Sequence, residues 1–143
     1  MAVTLKKITI WRGEIDNRAG ALARVLEPLR AARASLDVVM GYRIPGQPER
    51  AVIEVWPVSG KKVSQAAEAA GLRPSETPAL LVTGDDRPGM GHAMARAAAD
   101  AGINMVFLVA QVIGRRYSAV FGFESAADAD RAAALFKKLK PGK

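Results

Sequence analysis

Two short stretches hold the residues best suited to meeting a ligand. GEIDNRAG, residues 13–20, carries Glu14, Asp16, Asn17 and Arg18 ahead of Gly20. GDDRPGMG, residues 84–91, carries Asp85, Asp86 and Arg87 ahead of Gly89. Acids and an arginine followed by glycine suit a turn that enters a helix, where unpaired backbone N–H groups carry partial positive charge. Asp85 or Asp86 can cap such an end. Pro88 fits the first turn, where its missing N–H costs nothing, and Gly89 permits close backbone approach. The same N–H groups can hold a small carboxylate or phosphate. An amino acid suits the site. Its carboxylate would meet the helix N–H groups, and its ammonium would meet Asn17 or Asp86, with Asp37 or Asn104 as a further oxygen. Charge at an exposed helix start contributes about 0.3–1 kcal/mol, whereas micromolar binding needs about 8 kcal/mol. A second surface must therefore close over the ligand.

Other chemistries find few residues. His92 is the single histidine and cysteine is absent, so neither a His/Cys metal cluster nor a cysteine–histidine pair can form. Met90, Met94 and Met105 read as core filler. GDDRPGMG lacks the lysine of a phosphate loop and the glycine spacing of a dinucleotide loop. Glu14, Asp16, Asp85 and Asp86 have no partner set that would make an acid–base pair. The sequence points away from catalysis, and it calls for no metal or cofactor.

The 143 residues suffice for one medium domain or two very small ones. Half are apolar, and the net charge of +7 favours anionic partners. Lys137, Lys138, Lys140 and Lys143 read as a solvated basic tail. No apolar run reaches the roughly 20 residues of a membrane span. The start, MAVTLKKITIW, has no signal core. A cytoplasmic protein is expected.

The elements that must position the two loops follow from periodicity. Residues 5–12 alternate as a strand. Residues 18–34 form a helix with Leu22, Val25, Leu26 and Leu29 in one stripe, and Pro28 should kink or split it. Strands follow over 36–44 and 50–58, joined by a Pro/Gly turn, and then a helix over 61–70 closed by Gly71. After LRPSET the order returns. It gives a strand over 79–83, a helix over 89–101, an apolar strand over 103–113 that reads as buried on both faces, a strand over 116–123 and a last helix opened by Ser125 and Asp128.

Gly20 falls on Gly89, 69 residues later, and Asp37 on Asn104. The chain thus reads as a duplicated module of about 70 residues, with residues 1–77 and 78–143 as its two domains. The β-α-β-β-α-β order is the ferredoxin-like α+β plan, an antiparallel sheet with two helices on one face. The first copy finds its fourth strand in residues 72–77. The second has no chain left for one, so either that sheet has three strands or its edge is covered by another segment, LRPSET, or by a partner chain.

D-R-P-G at 86–89 and N-R-A-G at 17–20, between first strand and first helix, resemble the ACT domain family, as does A-G-I-N at 101–104 opening the second strand. The resemblance covers nearly the whole chain, as two copies without an attached enzyme. It implies a non-catalytic, allosteric regulatory protein that binds a small effector, an amino acid, at an interface between modules. It also implies a homodimer, and a metabolic enzyme or regulator as partner. Carried over residue by residue, the family's ligand loops fall on Asn17, Arg18, Ala19 and Gly20, and on Asp86, Arg87, Pro88, Gly89 and Met90. Its strand asparagine falls on Asn104 and, changed, on Asp37. Ala19 departs from the loop proline, and Asp86 stands where some members have asparagine. An ionised Asp37 would repel a ligand carboxylate, so a degenerate site or a more cationic ligand is one expectation.

Two rivals remain. RNA-recognition modules share the element order, and RRYSAVFGF, residues 115–123, lies where they carry stacking aromatics. However, Arg116 replaces the glycine, Ala119 replaces the central aromatic, and ALLVTG offers none. Stacking is worth about 1–3 kcal/mol per base, so RNA binding is disfavoured. Tyr117, Phe121 and Phe123 read instead as a core or interface face. The other rival is a pure assembly module with empty sites.

Overall fold

The alternating run over residues 5–12 is two strands rather than one. In the computed structural model, which describes residues 3–139, β1 (Thr4–Ile8) and β2 (Trp11–Asp16) belong to different sheets. Lys140 and Lys143 of the basic tail lie outside the described residues. The remaining elements are α1 (Ala21–Ala31), β3 (Val38–Ile44), β4 (Gln47–Trp56), α2 (Lys61–Ala69) and β5 (Arg73–Pro74). They are followed by β6 (Ala79–Asp85), α3 (Met90–Asp100), β7 (Met105–Ile113), β8 (Arg116–Phe123) and α4 (Ala126–Lys137).

The fold is ferredoxin-like α+β, with two antiparallel four-stranded sheets and four helices. One compact unit is Thr9–Glu76 and is called the first unit here. Its sheet runs β3-β4-β2-β5. The two-residue β5 pairs with Trp11 and Arg12 of β2, which realises the fourth strand expected after residue 72. Pro74 is tolerated there because an edge strand has one side free of ladder bonds. The second unit joins the segment up to Ile8 with the stretch from Thr77 onward. Its sheet runs β1-β6-β8-β7, with Thr4 opposite Thr83 and Ile8 opposite Ala79. The missing fourth strand of the second half is thus the first strand of the chain.

Each core is a sheet face covered by its two helices. In the first unit, Ile53, Val55 and Leu72 meet Val25 and Leu29 of α1 and Ala67 of α2. In the second, Leu80, Val82, Phe121 and Phe123 meet Met94 of α3 and Phe136 of α4. The Phe121 and Phe136 ring centroids lie 5.1 Å apart. Tyr117, Phe121 and Phe123 are all buried in that core. They offer no exposed platform on which bases could stack.

Three expectations change. Pro28 does not split α1, which runs unbroken to Ala31. Val25 and Leu29 pin the helix to the sheet on either side of it, so packing overrides the local penalty. Leu22, expected in the buried stripe, is 43% exposed. The apolar β7 is not covered on both faces. It is an edge strand with Val106, Leu108, Val109, Val112 and Ile113 exposed. Hydrophobicity marked the strand but not its place in the sheet.

Candidate functional site

The loops before α1 and α3 are built on one plan. Arg50 pairs with Asp16 at 2.7 Å where β4 meets β2. Arg116 pairs with Asp85 at 3.0 Å at the matching point of β8 and β6. One residue on, Asn17 N–H donates to Glu49 O at 2.9 Å and Asp86 N–H to Arg115 O at 2.8 Å. Ala21 N–H then turns back to Arg18 O at 3.2 Å, and Met90 N–H to Arg87 O at 3.3 Å. Gly20 and Gly89 hold the helix-entry positions with φ of 88° and 86°. That left-handed conformation suits glycine and strains side-chain-bearing residues.

Neither glycine supplies a side-chain cap, and none is supplied by the expected aspartates. Asp85 is spent on Arg116 instead. The last helix shows the contrast, because Ser125 Oγ accepts from Asp128 N–H at 3.1 Å, as its sequence pattern predicts. Orphan amides at the starts of α1 and α3 are therefore not consumed by capping side chains.

Around the first loop the chain leaves a cleft of about 290 Å³, lined among others by Asn17, Arg18, Leu22, Tyr42, Arg43 and Ala51. Arg18 also borders a second cleft of about 400 Å³ beside α1 and α2. Asn17 donates its side-chain amide to Pro48 O at 2.7 Å. That bond ties the loop to the β3–β4 turn and leaves the carbonyl oxygen and one N–H for other partners. Arg18 stands 4.0 Å from Asp16, with both side chains exposed. Tyr42 donates its hydroxyl to Glu54 Oε2 at 2.8 Å.

Around the second loop, Asp86, Pro88 and Gly89 are exposed, while Met90 is buried in the core and presents only its backbone. Tyr117 lies beneath the start of α3. Its hydroxyl is 3.9 Å from where a β-carbon on Gly91 would stand. The Tyr117 hydroxyl and Arg87 Nε are both buried without a hydrogen-bond partner among the described residues. Burial, and then the Asp86 charge, push the Tyr117 pKa up.

Asp37 and Asn104 do not join these loops within their own units. Asp37 precedes β3, whose first residue Val38 sits opposite Trp56, whereas Asp16 sits opposite Arg50. Six residues of β4 separate the two rows, roughly 20 Å at the rise of a strand. Asn104 is likewise at the Phe123 end of β8, and Asp86 beyond the Arg116 end. The sequence pairing of loop and strand residues is thus not a site inside one unit. Conversely, Leu22, Tyr42, Arg43, Ala51 and Tyr117 were missed as site residues. Strand register brings Tyr42, Arg43 and Ala51 beside the first loop and Tyr117 beneath the second, while Leu22 follows the first loop directly on α1.

His92 is exposed on α3. Among the described residues no group of three or more His, Cys, Asp or Glu side chains could hold a metal ion. No described helix is long and apolar enough to cross a membrane.

No family model and no curated protein matches the chain. Solved structures do. The chain is similar to protein BT0572 from Bacteroides thetaiotaomicron, with a TM-score of 0.75 at 12% identity over 94% of this chain and 89% of that one. It is similar to the ligand-free regulatory subunit of aspartate kinase from Thermus thermophilus, with a TM-score of 0.62 at 22% identity over 95% of each chain. Aspartokinase III of E. coli, in complex with aspartate and ADP, matches at a TM-score of 0.58 and 11% identity, over 94% of this chain and 32% of that one. At these identities the likeness is one of fold.

Proposed function

We propose that the chain is a regulatory protein made of two ACT-like modules, without catalysis of its own, that binds a small effector of the amino-acid class. The observation that carries this reading is the shared fold along 95% of both chains with a regulatory subunit of aspartate kinase. The repeated, uncapped loops support it, because they supply free amides beside arginine and carboxylate side chains. A zwitterion needs that mixture of donors and acceptors. The effector couples by about 1–3 kcal/mol to a metabolic enzyme or regulator. The test is melting temperature against the common amino acids and nucleotides, since a ligand bound only to the folded state raises it by mass action. A rise with one or a few amino acids is expected. A flat response across the whole panel sinks the sensor reading.

A second element of the reading is a homodimer. The uncharged β7 carries five exposed large apolar side chains on an open edge. Such an edge invites a second copy. Sedimentation should show dimers that Val109→Lys with Ile113→Lys turns into monomers. A monomeric parent protein at tens of micromolar would contradict it.

A further inference from the structure

The two units differ at one matched pair of positions. In the first, Leu22 in the opening turn of α1 and Ala51 on β4 both line the 290 Å³ cleft. The repeated ion pairs Asp16–Arg50 and Asp85–Arg116 set the correspondence. By that register Ala51 matches Tyr117, the residue after each arginine, and Leu22 matches Gly91, the second residue of each helix. A large helix residue over a small strand residue has become a small one over a large. Tyr117 is 7% exposed and ends beneath Gly91. Its ring takes the place that the small Ala51 leaves open.

We propose that the first unit's cleft is the working effector site, that Tyr117 closes the corresponding space in the second unit, and that the effector is a small carboxylic acid of net negative charge. This deepens the sensor reading above and rests on it. Two arginines, Arg18 and Arg43, are among the residues that line the cleft. The carboxylate on its wall, Asp16, is already engaged by Arg50. The lining charge is therefore positive in balance. Arginine forks match carboxylate geometry and hold it in two parallel bonds. The positions matching Tyr42 and Arg43 in the second unit are Gln111 and Val112, which bring no cation. Asp37, whose charge would repel a carboxylate, lies at the far end of the sheet. The volume is at the lower end of the range for ligand pockets, about 300–1,000 Å³, which suits a metabolite and not a dinucleotide.

The test is isothermal titration of the full chain with L-glutamate, succinate, L-lysine and inorganic phosphate. The expected result is one site per chain for L-glutamate or succinate, and no heat from L-lysine or phosphate. Ala51→Tyr, checked for native circular dichroism, should abolish that binding. Arg43→Gln, an exposed change that leaves the core alone, should weaken it about tenfold. Tyr117→Phe should leave it unchanged. Binding of L-lysine or phosphate in place of the acids overturns the assignment, as does a second site per chain. Undiminished affinity in both Ala51→Tyr and Arg43→Gln overturns it too. A loss of binding in Tyr117→Phe would make the orphaned hydroxyl the ligand donor and move the site to the second unit. If the acids give no heat while the wider amino-acid panel still raises the melting temperature, this proposal fails and the sensor reading stands. If neither responds, both fall.

Discussion

Tyr42 donates its hydroxyl to Glu54 Oε2 at 2.8 Å, and Glu54 is the buried charged side chain of the first sheet, 4% exposed. Arg12 lies opposite Glu54 across the β2–β4 ladder. The pair links the wall of the cleft to the middle of the sheet. Tyr42→Phe removes the donor and leaves a buried acceptor short of a partner, at a cost of about 1 kcal/mol. The cost stays near the low end because the tyrosine is itself half exposed. Urea unfolding of the variant should show it, with an unchanged slope.

The same hydroxyl makes stability depend on alkaline pH. Burial first, then the hydrogen bond to Glu54 and its charge, raise the Tyr42 pKa, against a smaller opposing effect of Arg12. A pKa raised on folding means the folded state holds the proton more tightly. The associated stability is complete below the ordinary tyrosine value of about 10 and is lost as pH rises through the raised value. Tyr117 is shifted in the same direction. Melting temperature followed from pH 8 to 12 should fall less steeply above 10 in Tyr42→Phe than in the parent. Parallel curves would contradict the assignment.

Gly122 has no room for a side chain. A β-carbon there would stand inside contact distance of the Phe107 ring, which lies opposite it on β7. Gly122→Ala must push the ring aside, and overpacking of this kind costs about 1–3 kcal/mol. Gly41, on the matching edge of the other sheet, has nothing within 4 Å of such a carbon. Gly41→Ala should fall within about 0.5 kcal/mol of the parent. Thermal unfolding of the two variants side by side checks the contrast.

The first strand serves the second half of the chain. Leu5 packs against the second unit's core, and Lys7 pairs with Asp130 of α4 at 2.7 Å. Deleting residues 1–8 uncovers the edge of β6 and should speed amide exchange over Leu80–Thr83 while β2 keeps its protection. Faster exchange in β2 instead would show that the strand supports the residues it precedes.

Much of this architecture was legible in the sequence. The β-α-β-β-α order, the two glycine-closed loops and the Ser125 cap all rest on local chemistry. The alignment of Gly20 with Gly89 found two loops whose hydrogen bonds repeat. What the sequence hid was set by distant partners. Residues 5–12 keep alternating through the point where the chain leaves one sheet for the other, so no turn residue marks the crossing. Asp37 and Asn104 follow their loops by helix-plus-turn lengths, but a helix returns the chain to the opposite end of the sheet. Arg43, Ala51 and Tyr117 reach the loops through register alone, which no local spacing encodes.

The most direct measurement is the ¹H–¹⁵N spectrum of the protein titrated with the acid that most raises its melting temperature. Bound effector should move the amides of Asn17 to Leu22 together with those of Gly41 to Arg43, and leave residues 86–91 nearly still. Shifts confined to residues 86–91, spread evenly over the surface, or lying away from both loops would contradict an effector held in the first unit, where β2 hands over to α1.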